Sequence, residues 1–238
     1  MDNLITSLKT LKWYEILMIT VMIFIAANSL YDAIFSNELG GNPLWLAAIN
    51  FISAIAGILC VFFVAKASIS NFIFSLVNTL SYMIFLYYWK IYGTFCLELF
   101  FYLPMIIFAW INWVKHKDNY DKNLTKTKSL TQLQFALIIL MLVIVTVITH
   151  GILLKFSGNV IWFDAATLSF GIVAMILSAF RYWQQYILWI IIDVVSVGMY
   201  IQKFDPVYLT KRSIYLIVAI IGLYNWLKLH KTRNLENE

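Results

Sequence analysis

Eight stretches of this chain are each apolar for about the length that a helix needs to cross a bilayer. They run roughly over 13–33, 44–65, 69–89, 92–114, 132–155, 161–181, 184–203 and 208–229. A hydrocarbon core about 30 Å thick takes about 20 helical residues, and backbone groups in lipid must be paired within their own segment. The pattern therefore predicts an all-α polytopic membrane protein of about eight transmembrane helices. Of the 238 residues 62% are hydrophobic and 12% charged. A water-soluble domain buries at most about three quarters of its surface, too little to hide so much apolar area. The one substantial polar connection, "HKDNYDKNLTKTKS" at 116–129, is too short for a nucleotide-binding domain.

The net charge of +5 does not indicate a nucleic-acid partner, because the basic residues cluster at the ends of apolar runs. An even number of spans puts both termini on one side. With that side cytoplasmic, Lys9, Lys12, Lys66, Lys115, Lys117, Lys122, Lys126, Lys128, Arg181, Lys228, Lys231 and Arg233 fall inside. Lys90, Lys155, Lys203, Lys211 and Arg212 fall outside. The excess of inside charge predicts cytoplasmic N- and C-termini. The first run has no small-residue cleavage site behind it and reads as a retained span. Cys60 and Cys96 lie inside apolar runs and read as small core hydrophobes.

Two segments end alike, in "WINWVKHK" (110–117) and "YNWLKLHK" (224–231). Laying spans 2–4 over spans 6–8 puts Trp45 on Trp162, Gly57 on Gly171, Asn78 on Asp193 and Ser81 on Ser196. It also puts Tyr102 on Tyr215 and Asn112-Trp113 on Asn225-Trp226. The offsets are 117, 114, 115, 115, 113 and 113. Six ordered matches indicate a duplicated three-helix unit, with span 5 as connector, so that both copies enter the membrane from the same face. The expected segments are an extra helix and loop at 1–43, a first bundle at 44–115 and a basic cytoplasmic linker at 116–129. A connector helix at 130–156, a second bundle at 157–230 and a cytoplasmic tail at 231–238 follow. Parallel repeats of this kind recur in secondary transporters, with substrate near the membrane midplane.

Polar residues at membrane depth are the candidate site. A carboxylate at the centre of a span costs about 2.5–3.5 kcal/mol on insertion scales, so Glu98, Asp193 and Asp164 must face protein or water. Glu98 and Tyr102 are four apart and share a helix face. Asn78 and Asp193 lie mid-span, and Tyr215 is one turn from Arg212, which is able to reach Asp193 as a structural pair. Trp110 and Trp189 are placed to stack on a flat ring. Trp113 and Trp226 read as interfacial belt residues. Pro104 inside span 4 removes a backbone hydrogen bond and bends the helix. With Asp164, Asn225, Trp113 and Trp226 it is a structural or gating candidate. The histidines share no helical spacing with carboxylates, so neither a metal nor a cofactor is expected.

The segments "AIAGILCVFFVAKASISNFIFSLVN" (54–78), "GIVAMILSAFRYWQQYILWIIIDVVSV" (171–197) and "KRSIYLIVAIIGLYNWLK" (211–228) resemble the PnuC family of bacterial vitamin transporters. The resemblance covers about 45–229 and rests on Ala56-Gly57, Ser70-Asn71, Asn78, the run Ile172–Met175, and Arg212, Tyr215, Gly222 and Trp226. It implies facilitated diffusion of a small vitamin, usually nicotinamide riboside, which a cytoplasmic kinase then traps by phosphorylation. It also implies two three-helix bundles joined by a linker helix, as in full-length SWEET sugar transporters. Relatives carry thiamine, riboflavin or nucleosides. The chain departs from the family at Glu98, where a Gln is expected, and at Pro104-Met105, where an Asn is expected. It departs again at Tyr186 with Trp189, where the family has Trp-x-x-Trp.

The leading expectation is thus import of nicotinamide riboside, an NAD precursor. Glu98 offsets the pyridinium charge, Trp110 or Trp189 stacks on the ring, and Asn78, Tyr102, Tyr215 or Arg212 bonds the ribose and amide. Asp193 completes the candidate set. A related transporter for thiamine or another vitamin or nucleoside is the alternative. The membrane subunit of an ATP-driven vitamin importer ranks lower, since such subunits usually have about six spans without this repeat. No nucleophile–base pair, metal motif or phosphate loop points to an enzyme. Expected partners are the bilayer, the small-molecule substrate and the kinase, with assembly into a homo-oligomer left open.

Overall fold

The computed structural model describes residues 11–35, 43–157, 162–203 and 206–235, and within these the Asp164 side chain lies outside what is described. Helices stand at all eight expected places: α1 (Trp13–Phe35), α2 (Leu44–Ala65), α3 (Asn71–Tyr88), α4 (Tyr92–Lys115), α5 (Gln132–Ser157), α6 (Trp162–Ala179), α7 (Gln185–Lys203) and α8 (Pro206–Leu235). Six of them, α1 to α5 and α8, are long and apolar enough to cross a membrane. Helices α6 and α7 contribute the shorter apolar stretches Ala165–Ala179 and Gln185–Gly198. The protein is a multi-pass helical membrane protein.

The chain divides into two compact units, Met1–Thr125 and Lys126–Glu238. Within the first, α1 packs on α2, α2 on α3 and α3 on α4; within the second, α5 packs on α6, α6 on α7 and α7 on α8. Apolar surface gives little drive for association where the solvent is itself hydrocarbon, so small and polar side chains hold the helices together. Helices α5 and α6 are tied by Thr149 Oγ1 and Ser169 Oγ, 2.8 Å apart, and His150 stacks on Trp162 at 3.5 Å between ring centres. Helix α1 is held more strongly. Glu15, 3% exposed, takes Lys66 Nζ at 2.7 Å and accepts a hydrogen bond from the Lys12 amide. The first helix, an addition to the repeat by sequence, is thus ion-paired to the end of α2.

The turns that follow α2 and α6 are the same structure twice. Each helix ends with a residue in the left-handed region, Ala67 (φ 55°) and Arg181 (φ 69°). After each, the following N–H reaches back to the last turn, Ser68 to Phe63 O and Tyr182 to Leu177 O. The left-handed residues themselves bond Val64 O and Ser178 O, which completes a Schellman cap in both. Neither cap uses glycine, so each backbone carries a local cost of about 1–2 kcal/mol that its surroundings must repay.

The polar linker supplies the repayment. It was expected to be a solvated cytoplasmic loop, but consecutive residues of it are bonded to each turn in its own unit. Thr125 N–H donates to Ala67 O at 3.0 Å and Ile69 N–H to Asn123 O at 2.9 Å. Lys128 N–H then donates to Arg181 O at 2.7 Å, and Trp183 N–H to Lys128 O at 3.1 Å. The threonine side chains repeat the arrangement: Thr125 Oγ1 donates to Trp113 O (3.3 Å) and His116 O (3.1 Å), and Thr127 Oγ1 to Trp226 O (3.5 Å). Thr125 is fully buried. Replacing it with isosteric Val removes both side-chain bonds, leaving Trp113 O only the His116 N–H, at about 1–3 kcal/mol for a lost buried hydrogen bond. Thr125→Val should therefore lower the thermal midpoint of the detergent-purified protein clearly, and Thr127→Val, which loses one long contact, much less.

Candidate functional site

The candidate acid sits at an irregularity in α4. The helix is α over Tyr92–Leu97, π over Glu98–Tyr102 and α again over Leu103–Lys115. The cause is Pro104, which has no N–H to donate into the preceding turn and whose ring crowds that turn. A π turn closes over one more residue than an α turn and so accommodates the proline. The bend expected from Pro104 is therefore a π bulge placed ahead of it, a feature found frequently at functional sites.

Glu98 opens that bulge and is half-buried. Among the described residues its carboxylate makes no ion pair or hydrogen bond. Tyr102 closes the bulge, packed edge-on against Phe101. The bulge packs on α3, which carries Asn78. Asn78 Oδ1 accepts a hydrogen bond from Ser53 Oγ at 2.9 Å and lies 3.1 Å from where a Cβ on Gly57 would be. The glycine makes room for the asparagine, whose amide N–H groups make no hydrogen bond among the described residues. The first unit thus holds a carboxylate and an amide donor uncommitted to the fold.

The second unit treats its acid differently. Asp193, 5% exposed on α7, accepts a hydrogen bond from Arg212 Nη1 of α8 at 3.2 Å, and this ion pair is the structural alternative noted from sequence. Tyr215, one turn along α8, lies under Lys211 Nζ at 5.8 Å. Trp189 is half-buried against the cluster of Val173, Ala174, Leu177 and Leu188. Arg181, at the turn before α7, is 1% exposed and donates to Lys126 O. Its burial pulls the pKa of the guanidinium down from its ordinary value.

Three expectations need correction. Trp113 and Trp226 are 1% and 0% exposed, so they are core residues and not an interfacial belt. Each meets an aromatic ring in the turn that the linker braces: Phe72 edge-on to Trp113 at 5.0 Å, and Tyr186 on Trp226 at 5.7 Å. Phe72 also lies parallel to Trp110 at 6.1 Å, so one face of the candidate stacking residue Trp110 is already taken. Cys96 is exposed on the helix surface and not in the core, while Cys60 pairs with Ser75 Oγ at 2.9 Å. Asn225 lies in α8 with its side chain partly covered. The sequence reading missed Glu15 and Gln185, and took Gly222 only as part of the family pattern. At Gly222 a Cβ would collide with the ring of Tyr186, so the glycine is what lets α7 and α8 approach there.

A family described as "Nicotinamide mononucleotide transporter" matches residues 45–228. The chain belongs to this family. Among its relatives, the nicotinamide riboside transporter PnuC of Neisseria mucosa is 30% identical over 79% of this chain and 73% of its own. The PnuC of Haemophilus influenzae is 30% identical over 80% of this chain and 82% of its own. A crystal structure titled as the vitamin B3 transporter PnuC superposes with a TM-score of 0.70 at 26% identity, covering 93% of this chain and 94% of that one. The chain is thus a member of the nicotinamide mononucleotide transporter family with the PnuC fold, and a transporter, not an enzyme.

Within that family frame, the Asp193–Arg212 pair can be separated from any transport role by stability alone. Losing one partner of a buried pair costs about 3–5 kcal/mol. The Arg212 side chain is 33% exposed, so we expect about 2 kcal/mol for Arg212→Met, read as a lower thermal midpoint in detergent. Adding Asp193→Asn to the same chain removes the stranded charge and should restore most of the loss.

Proposed function

We propose that this chain carries nicotinamide riboside across the bacterial inner membrane by facilitated diffusion, and that a cytoplasmic kinase traps the product. The observation that carries the reading is Glu98, an acid within a candidate span that has no protein cation to neutralise it among the described residues. Such a residue is expensive to keep, and intramembrane acids of this kind mark substrate or ion paths. The pyridinium ring of the riboside is a flat cation that would neutralise it. The printed names of the relatives, which are riboside transporters, support the same substrate.

Each unit offers groups to a passing solute. In the first, Glu98 faces the ring charge, Asn78 and Tyr102 bond the ribose hydroxyls, and the open face of Trp110 stacks. In the second, Trp189 stacks, and Arg212 and Tyr215 bond the ribose beside Asp193. Cation–π contact adds about 0.5–2 kcal/mol. The riboside is preferred over the mononucleotide of the family's description because a phosphate dianion gains nothing from an unpaired carboxylate.

The remaining features form one arrangement in this proposal. The two units are parallel duplicates, segmented at 1–43, 44–115, 116–129, 130–156, 157–230 and 231–238, with both termini and the linker cytoplasmic. The repeated caps at Ala67 and Arg181, 114 residues apart, support duplication. The π bulge supports it too, since one extra residue in α4 accounts for half the drop in offset from 115 to 113. At the intermediate register Glu98 corresponds to Arg212, so one unit carries the acid where the other carries the base.

Purified protein in liposomes should take up radiolabelled nicotinamide riboside to equilibrium without ATP or an ion gradient. Dependence on a second protein or on ATP would instead indicate the subunit of a driven importer. Glu98→Ala should weaken riboside affinity at least tenfold and Glu98→Gln by only a few-fold. Unchanged affinity in both variants would remove Glu98 from the path. Thiamine, also a flat cation, is the comparison substrate in the same assay.

A further inference from the structure

Gln185 opens α7 and is 0% exposed, yet neither its Nε2 nor its Oε1 has a hydrogen-bond partner among the described residues. Buried amides are otherwise paired in the great majority of proteins, and each exception calls for a reason. The equivalent residue of the first unit, Asn71, is satisfied: its Nδ2 donates to Ser68 O at 2.6 Å. The two turns share their backbone bonds, so the fold itself does not require an orphan amide at this place. Its adjacent residue Tyr186 rests on the bare backbone of Gly222 and against Trp226. Ring packing thus seats Tyr186, while the amide beside it in the chain is left unmet.

Gln185, Trp189 and Asp193 recur every four residues and so lie along one face of α7. From first to last they span eight residues, about 12 Å of helix. That length is comparable with a nicotinamide riboside measured from its carboxamide to the far side of its ribose. The three side chains offer, in order, an amide, an indole face and an ion pair with Arg212. A primary carboxamide presents one N–H donor edge and one carbonyl acceptor, and the glutamine amide is its complement on both.

We propose that Gln185 is a specificity residue that pairs with the substrate carboxamide when Tyr186 leaves its seat on Gly222, while the ring stacks on Trp189 and the ribose reaches Asp193 and Arg212. The inference rests on nicotinamide riboside being the substrate. In the structure the amide is unmet, and bound substrate would satisfy it. A site built to bond a substrate amide rejects the analogue without it, because the protein's own polar group is then left unpaired.

The test is calorimetric affinity of detergent-purified protein for nicotinamide riboside and for pyridine riboside, which keeps the cationic ring and sugar but lacks the carboxamide. Wild type should prefer the amide at least tenfold. Gln185→Leu and Gln185→Met, apolar and of similar volume, should each bind both ribosides equally, at about the wild-type affinity for pyridine riboside. Their thermal midpoints should be unchanged or higher, since an unmet buried amide is removed. A wild-type preference kept by a folded variant overturns the role of Gln185 while leaving the substrate intact. Wild-type protein that binds neither riboside overturns the substrate reading and this inference with it.

Discussion

A charge or polar group within lipid must find a partner in the protein, and most such groups in this chain have one. Asp193 is buried and has Arg212; Glu15 is buried and has Lys66. Ser53 and Asn78 hold each other, as do Thr149 and Ser169. Among the described residues the carboxylate of Glu98 and the amide of Gln185 make no such bond, and Arg181 Nε and Gln184 Oε1 beside the latter are unmet too. Each gives up stability that a partner would supply, and the proposed substrate would supply one.

The irregular backbone is placed where these groups are. Pro104 forces a π turn whose first residue is Glu98, so the side chain leaves the helix from a segment with looser hydrogen bonding than its neighbours. At the other end of the spans, left-handed Ala67 and Arg181 are held by linker residues bonded on both sides of the turn. The polar linker is therefore part of each unit's framework. Its two threonines donate to the carbonyls of Trp113, in the last turn of α4, and Trp226, within α8, and those rings pack on Phe72 and Tyr186.

Much of the fold was legible in the sequence because hydrophobic run length is a direct consequence of bilayer thickness. Helices fall at all eight expected places, and the Asp193–Arg212 pair follows from one acid and one base at reachable positions. The chain's family could likewise be seen in its segments before any coordinates. What was not legible depends on exact side-chain direction. Trp113 and Trp226 have the composition of belt residues, and only packing reveals that they point inward. Glu15 looked like a terminal acid because its partner, Lys66, is 51 residues away. The π bulge left a trace as a slipping repeat offset, but an offset cannot say whether the extra residue lies in a loop or in a helix. Gln185 looked like an ordinary helix start, since the lack of a partner is a property of the folded surroundings.

The most direct measurement compares the affinity of the purified protein for nicotinamide riboside with that for its reduced, uncharged dihydro form, which keeps the ribose, carboxamide and overall shape. If the uncompensated acid at the bulge exists to receive a cation, the oxidised form should bind at least tenfold more tightly. Equal affinities for the two would contradict the account.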